Sequence, residues 1–422
     1  MSKEKRRVPK LRFPRFTEDW EQRKLCQITT RVTRKNGSQS DLPLTISAQD
    51  GLVDQRKYFN RQVASRDMSN YYLIKKGEFA YNKSYSEGYP FGAVKRLDYY
   101  DIGALSTLYI LFEITDNNIS SDFIVSYYMT HLWYKEISKR AAEGARNHGL
   151  LNISTEDFFD SELNIPTSIE EQVKIGNFIK QFDKFITLHQ RKLEHLNLKK
   201  KALLQKLFPK NGECYPELRF PGFTDAWEQR KFLDLLDAQN GIRRGPFGSA
   251  LKKDSFVKKS DYVVYEQQNA IYDNYETRYF ISKEKYNELI RFNIQPGDFI
   301  MSGAGTIGRI SMVPDGIKKG VFNQALIRFK VNKDSINPLY FLKFMQSDMM
   351  QKQLTQANPG SAMTNLVPMD ELKKWDVTIP SLEEQNRIST FINQIDAFIT
   401  LHHRKLEMLK NVKKGLLQKM FV

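Results

Sequence analysis

The sequence has little cysteine and no long apolar run. Its 422 residues contain two cysteines, Cys26 and Cys214, which do not form a C-x-x-C pair. We therefore predict reduced thiols in a cytoplasmic protein, and no disulfide framework. No stretch approaches the ~18 consecutive apolar residues of a membrane span. The basic start MSKEKRRVPK is not followed by the apolar segment of a signal peptide.

Signatures of common catalytic sites are also missing. The sequence contains no P-loop, no H-E-x-x-H motif, no Cys/His zinc spacing and no [DN]-P-P-[YF] segment of an adenine methyltransferase. The segment GAGTIG (303–308) has dinucleotide-binding glycine spacing, but a strand-like run follows it where that motif needs a helix. We predict a glycine turn between strands there, and a non-catalytic chain with no metal or cofactor of its own.

Acidic residues are outnumbered by basic ones. The chain has 65 Lys and Arg against 49 Asp and Glu, a net charge of +16 and a pI near 9.5. This balance favours a polyanionic partner, with nucleic acid ahead of a membrane surface because no segment resembles a membrane-lying helix. Charge alone leaves open a basic protein without such a partner, but it excludes an acidic DNA mimic.

Two stretches of the sequence occur twice. LRFPRFTEDWEQRKL begins at Leu11 and returns as LRFPGFTDAWEQRKF from Leu218, with eleven of the first fourteen positions identical. Residues 169–208 match residues 382–421 at 25 of 40 positions. These spacings are too long for a solenoid. The simplest explanation is duplication of a whole domain, in the order phrase, variable region, helix, then the same again.

The second repeat predicts two long helices. Ser168 with Glu171, and Ser381 with Glu384, have capping-box spacing. Apolar residues then recur at alternating steps of four and three, which is typical of a coiled-coil seam. In the first copy the seam is Ile175, Ile179, Phe182, Ile186, His189, Leu193 and Leu196, and in the second it is Ile388, Ile392, Ile395, Ile399, His402, Leu406 and Leu409.

A helix of ~40 residues is about 60 Å long, and the economical structure pairs the two helices antiparallel, with an approximate two-fold axis between the halves. Pairing between chains is the alternative. His189, His402, Lys200 and Lys413 are polar residues at seam positions that either fix register or, for the lysines, only snorkel to solvent.

The variable regions predict one α+β fold used twice. The segments 71–84 and 291–305 share an apolar–Gly–acid–Phe pattern, and 124–141 and 338–354 are each predicted to be a helix. We expect a first domain over 1–164, a central helix and joint over 165–212, a second domain over 213–378 and a last helix over 379–422.

This arrangement resembles the specificity (S) subunit of type I restriction–modification systems. The resemblance rests on the duplicated phrase, on IPTSIEEQ…FITLHQRKLE…LLQKLF with its copy, and on GDFIMSGAGTIGRI (297–310), and it covers essentially the whole chain. It implies two target-recognition domains, each reading half of a split double-stranded DNA site, held apart by the helices. It also implies two methyltransferase (M) and two restriction (R) subunits as partners, which would use S-adenosylmethionine, ATP and Mg.

Base edges are read mainly by Arg, Lys, Asn and Gln side chains, while phosphates attract Lys and Arg. Candidates in the first domain are Lys83, Tyr85, Arg146, Asn147 and His148, and candidates in the second are Arg243, Arg244, Lys252, Lys253, Gln267, Gln268 and Asn269. We place Arg243 and Arg244 on a glycine-rich loop. The WEQRK phrases either contact M subunits or support each domain's base, and the basic runs of the helices either touch phosphate or face solvent or a partner.

Two other functions are compatible with parts of the sequence. An architectural or adaptor protein that binds nucleic acid without sequence preference would share the charge and the coiled coil, but it would not need two dissimilar domains on near-identical supports. A self-sufficient methyltransferase or nuclease would need the motifs that are missing.

Overall fold

The computed structural model describes residues 7–61, 63–141, 151–210, 212–246, 248–355 and 368–422, without the side chain of Lys253. The chain folds into two compact units. The first contains Met1–Arg191 and Arg404–Val422, and the second contains Lys192–His403. Each unit therefore holds one variable region and one end of each of two long helices.

The first variable region is built from short strands followed by short helices. Its strands are β1 (Glu21–Lys24), β2 (Thr29–Val32), β3 (Leu44–Ser47), β4 (Gly51–Asp54), β5 (Tyr72–Lys75), β6 (Phe79–Asn82), β7 (Ala93–Arg96), β8 (Ile102–Leu105), β9 (Ile110–Ile114) and β10 (Glu162–Ile165). Its helices are α1 (Gln55–Phe59), α2 (Ser121–Tyr128), α3 (Leu132–Arg140) and α4 (Thr155–Phe159), and the long helix α5 (Ile169–Lys206) follows.

A four-stranded antiparallel sheet in the order β2-β9-β6-β7 organises this unit. Along β6, Phe79 and Tyr81 pack into a core with the helices, while Ala80 packs into a second core on the other face. The central strands β6 and β9 are largely buried on both faces, which explains their mostly apolar sequences FAYN and ILFEI. The edge strands β2 (TTRV) and β7 (AVKR) include polar residues. Pairs β1-β10, β3-β4 and β5-β8 complete the strand pairing of the described residues.

The second unit repeats this plan. Its strands are β11 (Glu228–Lys231), β12 (Ile242–Arg244), β13 (Phe256–Val257), β14 (Tyr262–Tyr265), β15 (Tyr279–Ile281), β16 (Phe299–Ser302), β17 (Ile310–Met312), β18 (Lys319–Phe322), β19 (Leu326–Phe329) and β20 (Asp376–Ile379). Its helices are α6 (Gln267–Tyr272), α7 (Lys283–Glu288), α8 (Pro338–Met345), α9 (Asp348–Thr355) and α10 (Met369–Leu372), followed by the long helix α11 (Leu382–Met420).

The central sheet of the second unit, β12-β19-β16-β17, has the strand order of its counterpart. A second four-stranded sheet, β13-β15-β14-β18, contains one parallel pair, β14 with β18. In the first unit the pairs β3-β4 and β5-β8 are connected by a parallel bridge between Pro43 and Ala104. Before β6 and β16 the chain turns at Gly77 and Gly297, which both take positive φ angles, 89° and 84°. This is the equivalence that the apolar–Gly–acid–Phe pattern predicts, because glycine adopts this left-handed conformation without steric cost.

Each predicted helix of the variable regions is two helices, so that part of the sequence interpretation was wrong. The helix predicted over 124–141 is broken between α2 and α3, and that over 338–354 between α8 and α9. At the breaks, the Thr130 and Ser347 hydroxyls donate to the carbonyls of Tyr127 and Phe344. Ser and Thr side chains that bond the local backbone compete with helix continuation.

The two long helices begin where the capping serines predict and contain 38 and 39 residues. In the first unit Asp183 of α5 pairs with Lys413 of α11. In the second unit Lys200 of α5 pairs with Asp396 of α11 at 2.6 Å. The order of contacts along the two helices is reversed, so the helices are antiparallel. The seam positions named above are buried or half-buried, whereas most positions between them are exposed.

The duplicated phrase holds the long helices at their ends. Arg12 donates through Nε and Nη2 to Glu171 at 2.7 and 2.8 Å, and Arg219 binds Glu384 in the same way at 2.8 Å. The backbone N–H of Leu11 donates to Lys419 O. The predicted capping box is thus only half right. Ser381 accepts from the N–H of Glu384, but the glutamate side chain binds arginine, because a bidentate charged pair is stronger than a neutral hydrogen bond.

The WEQRK part of the phrase supports each domain from within. It forms β1 and β11, which pair with β10 and β20, the strands that immediately precede the long helices. Trp20 and Trp227 are buried and lie edge-on to Phe421 and Phe208, the last aromatic residues of the two repeats. The sequence left two roles open for this phrase, contact with M subunits and support of each domain's base. These contacts within each unit are direct evidence for the second role.

The GAGTIG segment lies in the hairpin between β16 and β17, which pair antiparallel. The prediction of a turn is confirmed, and a helix that could hold a dinucleotide does not follow it. Among the described helices, none is long and apolar enough to cross a membrane.

Candidate nucleic-acid interface

The first arginine pair of the second unit lies on a strand, not on the predicted loop. Arg243 and Arg244 belong to β12, an edge strand of the central sheet. Arg244 is exposed, whereas Arg243 is half-buried and donates to Asn240 at 3.3 Å. The loop prediction failed because IRR continues the ladder with β19, a pairing partner more than 80 residues away.

Sequence reasoning missed Arg328, which lies directly opposite Arg243 in the ladder between β12 and β19. Arg328 is buried and donates to the carbonyl of Asn293 at 2.9 Å. Burial and the neighbouring Arg243 lower the pKa of Arg328, while Asp298 opposes this effect. The alternation of side-chain faces along a strand would place residue 328 in the core. No local feature of the sequence indicates that the arginine at this position lies opposite a second arginine.

The other candidates of the second unit differ in how accessible their side chains are. Gln268 and Lys252 are exposed. Gln267 is half-buried and donates its amide to the carbonyl of Ala304 in the hairpin. Asn269 is buried; it accepts from the N–H of Glu266 and donates to two carbonyls of the following loop. Asn269 thus closes the α6 turn and has no free amide group for a base, which corrects its place among the candidates.

Two candidates of the first unit, Lys83 and Tyr85, come directly after β6. The Lys83 ammonium donates to the carbonyl of Ile153 at 3.3 Å, so it forms a structural contact with the segment before α4. The Tyr85 side chain is 54% exposed. Arg146, Asn147 and His148, and the side chain of Lys253, lie outside the described residues. The structure therefore leaves Tyr85, Arg244, Lys252 and Gln268 as the exposed members of the predicted set.

A basic cleft of about 1490 Å³ occupies the first unit, and the sequence interpretation missed it. It lies between the end of β7, the junction of α2 with α3, and the facing sides of α5 and α11. Eight Lys and Arg side chains line it against four Asp side chains. A surface of this charge attracts anions.

Ion pairs account for part of this charge. Arg96 binds both Asp98 and Asp122 at 2.7 Å, and Lys180 binds Asp122 at 2.9 Å. Burial raises the pKa of Asp122, but the hydrogen bonds from Lys180 and Arg96 outweigh it and leave the pKa lowered. Burial, together with nearby Lys413, lowers the pKa of Lys95 on the cleft wall.

The long helices also expose apolar residues. Phe185 and Leu188 are 51% and 61% exposed in the first unit, and Phe398 and Leu401 are 55% and 59% exposed in the second. Both pairs come from the identical segment FITLH. Each pair is therefore a small exposed apolar group at an equivalent place on the long helices. Within the described part of the chain, no group of three His, Cys, Asp or Glu side chains could hold a metal ion.

Comparison with known proteins identifies the family. The family model described as "Type I restriction modification DNA specificity domain" matches residues 18–198 and 225–411. The type I restriction enzyme MjaVIII specificity subunit of Methanocaldococcus jannaschii is 21% identical over 283 residues, which cover 64% of this chain and 63% of that protein.

Solved structures have the same fold. The type I restriction–modification S subunit from M. genitalium superposes with a TM-score of 0.57 at 13% identity, over 98% of this chain and 99% of that one. The HsdS subunit from Thermoanaerobacter tengcongensis gives a TM-score of 0.50 at 15% identity, over 96% and 97% of the two chains. The architecture is therefore two similar α+β domains on two long helices, and the chain belongs to the type I restriction modification DNA specificity family, whose domain it contains twice.

Proposed function

We propose that this chain is the DNA-recognition subunit of a type I restriction–modification enzyme. Each α+β domain reads one half of a bipartite double-stranded DNA site, and the long helices set the gap between the half-sites. Methyl transfer from S-adenosylmethionine, and ATP- and Mg-dependent cleavage, belong to two M and two R subunits in the cytoplasm, and this chain contributes no catalytic group.

One observation carries this proposal: the two units share their support but differ in the surfaces they present. The Arg12–Glu171 and Arg219–Glu384 clamps are equivalent, and both central sheets have the same strand order. The second unit has the four-stranded sheet β13-β15-β14-β18, whereas the first unit has the pairs β3-β4 and β5-β8, which one parallel bridge between Pro43 and Ala104 connects. Two different readers on one repeated frame suit a site with two unlike halves, whereas identical readers would suit a palindrome.

The repeated apolar pair supports docking of two copies of one partner. Phe185 with Leu188, and Phe398 with Leu401, offer the same three-residue spacing once in each unit. Side chains three apart lie on one face of a helix and can contact the apolar face of a partner helix. We assign this docking to the M subunits.

The test is a genome-wide map of adenine methylation in cells with a cognate M subunit, with and without this chain. A single split motif, two short half-sites around a fixed gap, is expected only when the chain is present. If methylation is unchanged although M and this chain co-purify, the chain is a scaffold without sequence readout, and the adaptor function replaces the proposal.

A further inference from the structure

The wall of the basic cleft includes Lys95, whose ammonium has no hydrogen bond or ion pair with any described residue. Lys95 belongs to β7 and lies opposite Ala80, a residue of an apolar core, in the ladder with β6. Its side chain is half-buried. Partial burial of an ammonium group without a partner is unfavourable. A lysine held in such a place on a cleft wall is therefore a candidate for a chemical role.

The second unit contains a buried lysine for comparison. Asp183 and Asp396 are equivalent at the offset of 213 residues that relates the helix repeats, and each pairs with a lysine of the opposite long helix. Asp396 also binds Lys343 of α8 at 2.7 Å, and Lys343 is buried. In the first unit Lys95 lies near Asp183 but does not bind it. Lys343 is therefore a lysine with a carboxylate partner, and Lys95 is one without.

The surroundings of Lys95 favour its neutral amine. Burial is the main cause that lowers the pKa of Lys95, and Lys413 of α11 adds to this effect. Asp183 of α5 and Asp50 of the turn between β3 and β4 oppose the effect without reversing it. An amine attacks an electrophile only in its unprotonated form, so desolvation and a neighbouring cation activate a lysine as a nucleophile.

The same cleft favours a reagent that carries negative charge. Lys184, Arg191 and Lys414 line the cleft, are exposed and form no ion pair with any carboxylate among the described residues. Such cations attract anions, and the point charge of a lysine ammonium suits a phosphate group. The cleft volume of about 1490 Å³ leaves room for a small acyl group on Lys95.

We propose that Lys95 is a site of Nε-acylation by small acyl phosphates. The Lys95 amine attacks the carbonyl carbon of the reagent. The C–N bond forms as the bond between that carbon and the phosphate oxygen breaks, and the inorganic phosphate that leaves takes the proton from the nitrogen. The product is a neutral amide, so the modification removes one positive charge from the cleft and ends the repulsion between Lys95 and Lys413.

The test treats the full chain with acetyl phosphate and follows the acetylation of each lysine over time by peptide mass spectrometry. Lys95 is expected to react at least about threefold faster than the paired Lys343 and the exposed Lys419 at about pH 7. Lowering the pH from about 9 to about 7 should increase this preference, because a lowered pKa keeps a larger share of Lys95 neutral.

A pair of variants tests the role of the exposed cations. K184Q combined with K414Q removes two of them, and K199Q combined with K405Q is the matched control on exposed lysines of the same helices that do not line the cleft. The first variant should slow acetylation of Lys95 by acetyl phosphate but not by the neutral reagent N-hydroxysuccinimidyl acetate. The control variant should leave both rates unchanged.

The proposal is overturned if Lys95 reacts with acetyl phosphate no faster than Lys343, since its amine would then be no more available than that of a paired lysine. It is also overturned if Lys95 is preferred only by the neutral reagent, because the cleft would then not favour an anionic acyl donor. Equal rates with acetyl phosphate in the K184Q–K414Q variant and its control would have the same meaning.

Discussion

Replacing Glu384 with glutamine tests whether the repeated arginine clamp holds the second unit together. Glu384 is 1% exposed and accepts two hydrogen bonds from Arg219, whose side chain is 16% exposed. Glutamine keeps the size of the side chain but removes its charge, which leaves the guanidinium without its counter-ion in a largely buried place. Breaking a buried pair in this way costs about 3–5 kcal/mol.

The measurement is thermal unfolding of the full chain by scanning calorimetry. For a unit of this size, each kcal/mol lowers the melting temperature by about 2–4 °C, so E384Q should lower it by about 6–20 °C. The exposed pair of Arg230 with Glu228, which are 41% and 68% exposed, is the control. Its removal by R230A is expected to change stability by less than about 0.5 kcal/mol.

A double variant, R219M with E384Q, separates the lost attraction from the stranded charge. It should be more stable than E384Q alone, because no unpaired guanidinium remains. The reasoning is refuted if E384Q and the R230A control have the same melting temperature. It is also refuted if the double variant loses as much unfolding free energy as its two single variants together. The same set of single and double variants at the Arg12–Glu171 pair of the first unit provides an independent test.

Three further changes have definite expected results. A Cβ at Gly176 of α5 would lie 2.7 Å from the Asp122 backbone. G176A should therefore lower the unfolding free energy, measured by urea unfolding, by about 1–3 kcal/mol. This clash outweighs alanine's better helix propensity. Burial raises the pKa of Asp396, but hydrogen bonds from two lysines leave it lowered; its stabilisation is present above the ordinary value of 3.8 and is lost as pH falls through the lower folded value, so D396N should flatten the acid side of a stability-against-pH curve. F185S combined with F398S should reduce co-purification with the M subunit with little change in melting temperature, because both side chains are exposed. A single substitution should leave one partner bound. Unchanged recovery of M would contradict the docking assignment.

Local chemistry explains what could be predicted from the sequence. The seam from Ile175 to Leu196 predicts its own helix, because the 3.6-residue period puts these side chains on one face whatever surrounds them. Gly77 and Gly297 mark equivalent turns because positive φ angles favour glycine. Even the absence of a helix after Gly308 could be inferred from the residues that follow it. Duplication was visible because it copies the residues themselves.

Contacts between distant residues could not be predicted in this way. Glu171 has capping-box spacing, yet it binds Arg12, 159 residues away, and this partner appears only when the phrase packs against the helix end. Asn269 has the side chain of a base reader but is used to close a turn. Arg243 lies on a strand because of a partner strand that local composition does not reveal.

The sequence by itself therefore determined the duplicated plan, the two long helices and the family resemblance, since these depend on short-range periodicity and repetition. Only the tertiary structure decided which cations share a surface. Lys184 and Lys414 lie 230 positions apart in the chain, and they line one cleft because antiparallel helices bring the start of α5 beside the end of α11. Folding brings these charges together on one surface, whereas the net composition gives only their total.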